Sequence, residues 1–193
     1  MRFLDLQTSL QSNLFTLLDV RKQFHQESAH SIHIQLTRFT QKGLIAQIKR
    51  GIYCFQPDRV NEFILANYLY FPSYISLETA LNYYGIIPDI PQTVTSIDLT
   101  TTRKITNQFG SFSYSKVKSS LFWGYQKVAV PQSQDWFSIA QPEKALLDYF
   151  YIRKIKQIRE LRLNLDRINY QTYKAYIKHY PEFLLKINLK NLP

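Results

Sequence analysis

A chain of 193 residues has room for one ordinary domain, or for a domain of about 60 residues joined to one of about 100 to 150, and its 45% hydrophobic and 15% aromatic content excludes a disordered or low-complexity polypeptide. The single cysteine, Cys54, excludes an internal disulfide framework and a thiolate cluster, and no apolar run reaches signal-peptide or membrane-span length, so a cytoplasmic protein without membrane association is expected. The net charge of +10 gathers at the ends, with 7 Lys and Arg against 3 Asp and Glu over 1–55, 7 against 8 over 56–150 and 10 against 3 over 151–193, which points to an anionic partner, nucleic acid first.

Residues 2–11 place Phe3, Leu4, Leu6 and Leu10 at spacings that suit a short amphipathic helix. Thr16 is a good N-cap for a second helix running to about Phe24. A third is expected from about Ala29 to Lys42, with Ile32, Leu36 and Phe39 as its buried stripe and Gly43 in the left-handed position that ends it. Two β-prone runs, 44–48 and 52–55, then flank Lys49-Arg50-Gly51. Three helices followed by a hairpin is the order of a winged helix-turn-helix. Pro57 and Asp58 open a new unit, with helices over 59–71 and, capped at Ser76, 77–85. Strands are expected over 93–101, 111–117, 121–130 and 136–140, and helices from Pro142, over 156–163 and over 170–187. The fold class is therefore α+β: a winged helix-turn-helix over 1–56, then over 57–193 a C-terminal α/β domain whose mainly antiparallel or mixed sheet is flanked by helices.

In a helix-turn-helix, the face of the third helix opposite its core stripe enters the major groove. Here that face carries His30, Ser31, His33, Ile34, Thr37 and Arg38, with Gln35 and Gln41 at its margin. Arg38 suits a guanine edge or a phosphate, Gln35 an adenine, and Ile34 a thymine methyl. Lys49 and Arg50 at the wing apex would lie against phosphates, supplying position and salt-dependent affinity.

His25, His30 and His33 have no carboxylate or second cysteine at ligand spacing, so no metal and no cofactor are expected. Glycine-rich phosphate loops and nucleophile elbows are missing from the sequence, and no catalytic residue is expected. The nearest enzymatic alternative is a divergent metal-dependent nuclease built on Asp98, Glu143 and Lys144, although Pro142-Glu143-Lys144 opens a helix where such a site would use a strand. A second alternative is a protein-interaction module with a degenerate helix-turn-helix. The segment from Pro142 reads as a packing helix, with Ala145, Leu146, Tyr149 and Phe150 inward, Asp148 on the flank, and Glu143, Lys144 and Asp148 available for a local ion-pair network or a partner.

Four segments in this order, "LTRFTQKGLIAQIKRGIYCF", "YISLETALNYYGIIP", "VTSIDLTT" and "IAQPEKALLDYFY", resemble the AbiEi-type antitoxins and related bacterial transcriptional regulators over about residues 10 to 155. The resemblance implies an autorepressor that binds inverted repeats in double-stranded operator DNA upstream of its own operon. It also implies an antitoxin of a type IV system, whose C-terminal domain counters a nucleotidyltransferase-like toxin without requiring a stable complex. The family's DNA-contact surface carries over to His30, Ser31, His33, Thr37 and Arg38 of the third helix and to Lys49 and Arg50 of the wing.

Overall fold

A computed structural model describes residues 1–131, 133–155, 158, 161–187 and 189. It is α+β, with eight α-helices and two sheets among the described residues. The chain divides into two compact units, Met1–Leu69 with Ala129–Trp136, and Tyr70–Val128 with Phe137–Pro193.

The first unit runs α1 (Phe3–Ser9), β1 (Leu14–Thr16), α2 (Leu17–Gln23), α3 (Ala29–Gln41), β2 (Ala46–Lys49), β3 (Ile52–Cys54) and α4 (Glu62–Leu69). Its three strands form an antiparallel sheet in the order β1-β3-β2, with Leu14 opposite Cys54 and Lys49 opposite Ile52. The core is Leu6, Leu10, Val20, Ile32, Leu36 and Ile45 with aromatic rings around them. Phe3 meets Phe39 and Phe55 edge-on, at 5.6 and 6.2 Å between centroids. Thr16 caps α2 as expected: Asp19 N donates to Thr16 Oγ1 at 3.2 Å, while Thr16 N donates back to Asp19 Oδ2 at 2.8 Å. Gly43, at φ +69°, ends α3, and Leu44 N donates to Phe39 O at 2.9 Å. Strand β1 is not among the sequence expectations. It exists because β3 supplies its ladder and because Asn13 clamps its start, donating from Nδ2 to Gln56 O at 2.9 Å and accepting from Gln56 N at 2.8 Å.

The second unit contains β4 (Ser73–Ile75), α5 (Leu77–Tyr83), β5 (Val94–Asp98), β6 (Arg103–Asn107), β7 (Gly110–Lys116), β8 (Tyr125–Ala129), β9 (Trp136–Ala140), α6 (Pro142–Arg153), α7 (Tyr170–Ile177) and α8 (Glu182–Leu185). The end of β8 and the start of β9 group with the first unit. The six-stranded sheet has the order β6-β7-β5-β4-β9-β8 and is mixed: β4 runs parallel to β9 and β5 parallel to β7, while β4–β5 and β6–β7 are antiparallel. Helix α5 packs on β5 and α6, and α6 packs on α7 and α8.

Several expected elements shift. Strands β4 and β6 emerge where none was read. The expected run 121–130 gives Leu121 to a 3-10 turn, Ser119–Leu121, and 122–124 to a loop, leaving β8 to begin at Tyr125. Half of the helix expected over 156–163 lies outside the described residues, and the described ones, 158 and 161–163, are not helical. The helix over 170–187 is two, because Pro181 starts α8 with no N–H to continue α7. Ser76 precedes α5, but its side chain makes no cap.

Candidate nucleic-acid interface

Helix α3 separates its residues by face. Ile32 and Leu36 are buried, while His30, His33, Thr37, Arg38 and Gln41 are exposed and Ile34 is half-buried. His30, His33, Ile34 and Thr37 stand at i, i+3, i+4 and i+7, so they line one stripe, with Arg38 one turn beyond Ile34. Thr37 Oγ1 donates to His33 O at 2.9 Å and keeps its lone pairs for an outside donor. Among the described residues no hydrogen bond or ion pair engages the side chains of His30, His33 or Arg38.

Ser31 and Gln35 belong to a different edge of α3. Ser31 Oγ and Gln35 Nε2 both donate to Glu27 Oε2, at 3.3 Å each, and the other Glu27 oxygen pairs with the Met1 amine. Their polar groups are thus engaged within the protein. Sequence spacing put them on the outer arc, and nothing in the spacing showed that Glu27, in the preceding turn, would reach them.

The β2–β3 connection is a tight turn at Arg50-Gly51, with Gly51 at φ +82°, where a side chain would strain the backbone. Leu17 N donates to Gly51 O at 2.9 Å, tying the turn to the start of α2. Arg50 is exposed and makes no hydrogen bond or ion pair among the described residues. Lys49 differs from the expectation of two apical cations: it is the last residue of β2, and its Nζ donates to Leu69 O at 3.0 Å. Arg21 and Lys22, in the last turn of α2, add two exposed cations that the reading of motifs passed over. Local charge was the available signal for them.

The second unit contains a polar centre that the sequence showed only in outline. Lys144 and Asp148, one turn apart on α6, are both fully buried and form an ion pair. Lys144 Nζ also donates to Tyr180 Oη at 2.7 Å, and Tyr180 Oη donates to Asp148 Oδ1 at 2.6 Å. The other Asp148 oxygen accepts from Tyr74 Oη at 3.1 Å and Ser76 Oγ at 2.9 Å. The ammonium lies 5.2 to 5.5 Å from the ring centroids of Tyr180, Trp123 and Tyr74. Asp148 is therefore in the core rather than on the flank expected of it. Burial pushes the Lys144 pKa below the ordinary lysine value against the opposing pull of Asp148, and burial beside Asp148 pushes Tyr74 and Tyr180 well above the ordinary tyrosine value. With every group paired and none open to solvent, the centre is suited to fixing α6, β4 and the α7–α8 connection together rather than to meeting a substrate.

Asp98 and Glu143 do not converge. Ser73, the first residue of β4, stands opposite Asp98, the last of β5, whereas β9 runs parallel to β4 and delivers the chain to α6 at the other end of the sheet. Asp98 Oδ1 accepts from Thr100 N, from Thr100 Oγ1 at 2.6 Å and from Thr101 N at 3.2 Å, the pattern of a turn closing a strand. Glu143 Oε1 accepts from Asn169 N at 2.6 Å. Among the described residues no group of three His, Cys, Asp or Glu side chains could hold a metal ion, and no helix is long and apolar enough to cross a membrane. Against known proteins, no family model matches the chain and no curated protein matches it at a significant level.

Proposed function

We propose that this chain is a DNA-binding transcriptional autorepressor whose first unit is a winged helix-turn-helix, and that it serves as the antitoxin of a type IV system against a nucleotidyltransferase-like toxin. The element order of the first unit supports the first part: helix, strand, two helices and a hairpin, with the early strand beside the second strand of the hairpin, is the arrangement winged helices use to present their third helix. The observation that carries the DNA reading is the outer stripe of α3, where His30, His33, Thr37 and Arg38 are exposed around a half-buried Ile34 and, apart from the Thr37 bond within the helix, uncommitted among the described residues. In the proposed complex this stripe meets base edges in the major groove, and Arg50 meets the adjacent backbone. The antitoxin part rests on the sequence resemblance alone.

An electrophoretic shift with the full chain, on the duplex upstream of its own gene and on a scrambled duplex of equal length, tests the first part. Preferential retardation of the upstream duplex is expected, and equal or no retardation of the two contradicts autorepression. Co-expression with the product of the adjacent reading frame tests the second: rescue of growth arrest is expected, and undiminished toxicity contradicts an antitoxin.

A further inference from the structure

The strongest unexplained feature outside the α3 face is the edge of the large sheet. Among the described residues, strand β6 has β7 on one side and no strand on the other. Residues 102–118 contain Arg103, Lys104, Lys116 and Lys118 and no acidic residue, although residues 56–150 as a whole are nearly neutral. All four cations are exposed. Arg103 is held in place, its guanidinium 4.2 Å from the Tyr70 ring centroid and donating to Tyr70 Oη. Lys104 makes no ion pair among the described residues.

The register says which backbone groups are open. Asn107 and Gly110 flank a two-residue turn and pair directly, so they close the hairpin with mutual hydrogen bonds. Alternation then directs the N–H and C=O of Arg103, Ile105 and Asn107 toward β7, and those of Lys104 and Thr106 outward. Like charges along such an edge oppose pairing with a second copy of itself, and the same charges attract an incoming strand of opposite sign.

We propose that the outer edge of β6 binds an acidic, extended segment of a partner protein by strand addition, with Lys104 and Thr106 supplying the backbone bonds and Arg103 and Lys104 the charge selection. The edge lies within the sheet of the second unit, and the proposal does not depend on the DNA reading. The probe is a synthetic nine-residue peptide alternating Glu with Thr and Val, titrated into the full chain by fluorescence anisotropy, with amide exchange followed in β6. Controls are a polyglutamate of equal length, the same peptide N-methylated at alternate residues, and a single-stranded oligonucleotide.

Binding of the alternating peptide is expected to slow exchange at Lys104 and Thr106. Lys104→Glu should weaken it about tenfold, and Thr106→Pro, which removes an outward donor without changing charge, should weaken it by a comparable factor while circular dichroism stays unchanged. Equal binding of polyglutamate or of the methylated peptide overturns strand addition in favour of bare charge attraction. Tighter binding of the oligonucleotide, protecting the same amides, overturns the protein partner, and concentration-dependent self-association lost in Thr106→Pro overturns it in favour of a second copy.

Discussion

A lysine ammonium sealed from water survives only where an anion and hydrogen-bond acceptors replace its hydration, and Lys144 finds these in Asp148, Tyr180 and three aromatic faces. Removing one partner leaves the other buried and unmatched. Asp148→Ala is therefore expected to cost about 3–5 kcal/mol in chemical denaturation of the full chain, and Lys144→Met/Asp148→Leu to cost clearly less than Asp148→Ala alone. Equal losses in the two would show that the charges themselves are unimportant. Gly124 belongs to the same centre: at φ +71° it passes beneath the Lys144 stem, and an added Cβ would come within 3.1–3.3 Å of three Lys144 carbons. Gly124→Ala combines that crowding with backbone strain, and an expected loss of about 1–3 kcal/mol can be read from the same titration.

At the scale of elements, the β2–β3 turn separates two cations that look alike in sequence. Lys49→Ala should lower stability by about 0.5–1.5 kcal/mol, because its bond to Leu69 O is lost, whereas Arg50→Ala should leave the melting temperature unchanged and weaken DNA binding. The reverse pattern, tested by thermal melting and gel shift on both variants, would contradict the assignment. These two residues also show how far the sequence was readable. The caps at Thr16 and Gly43, the Ile32–Leu36 stripe and the turn glycine at Gly51 act over one or two turns of chain, so spacing revealed them. The Lys49 bond, the pairing of Ser31 and Gln35 with Glu27, and strand β1 depend on partners brought near by the fold. Strand β4 is three residues long, too short for a period to register, and is a strand because β5 and β9 flank it. On α6, the i, i+4 spacing of Lys144 and Asp148 suggested an ion pair, but its burial depends on Tyr74, Ser76 and Tyr180, as many as 74 residues away in sequence.

Over the whole molecule, the abundant tyrosines are expected to set the alkaline limit of stability. Burial raises the pKa of Tyr53, Tyr68, Tyr74, Tyr84, Tyr114, Tyr149, Tyr173 and Tyr180 above the ordinary value of 10, with Tyr68 pushed up to about 12. Between the ordinary and the raised values the unfolded chain loses protons that the folded chain keeps, so stability present below about pH 10 falls as pH rises further. Lys144, held below its ordinary value, acts in the opposite direction, one group against eight. Melting temperature is expected to drop steeply from about pH 10 upward, together with a rise in tyrosinate absorbance at unfolding, and a flat profile to about pH 12 would contradict the burial assigned to these rings.

The central claim is that the outer stripe of α3 and Arg50 contact DNA. It is tested most directly by the salt dependence of binding to the upstream duplex, for the native chain and for Arg38→Ala/Arg50→Ala. The native chain should show a steep fall in affinity with salt. The double variant should bind about tenfold more weakly, with a log–log slope shallower by about 0.9, the equivalent of the one phosphate contact assigned to Arg50, at unchanged melting temperature. An unchanged affinity and slope in the double variant would contradict the claim.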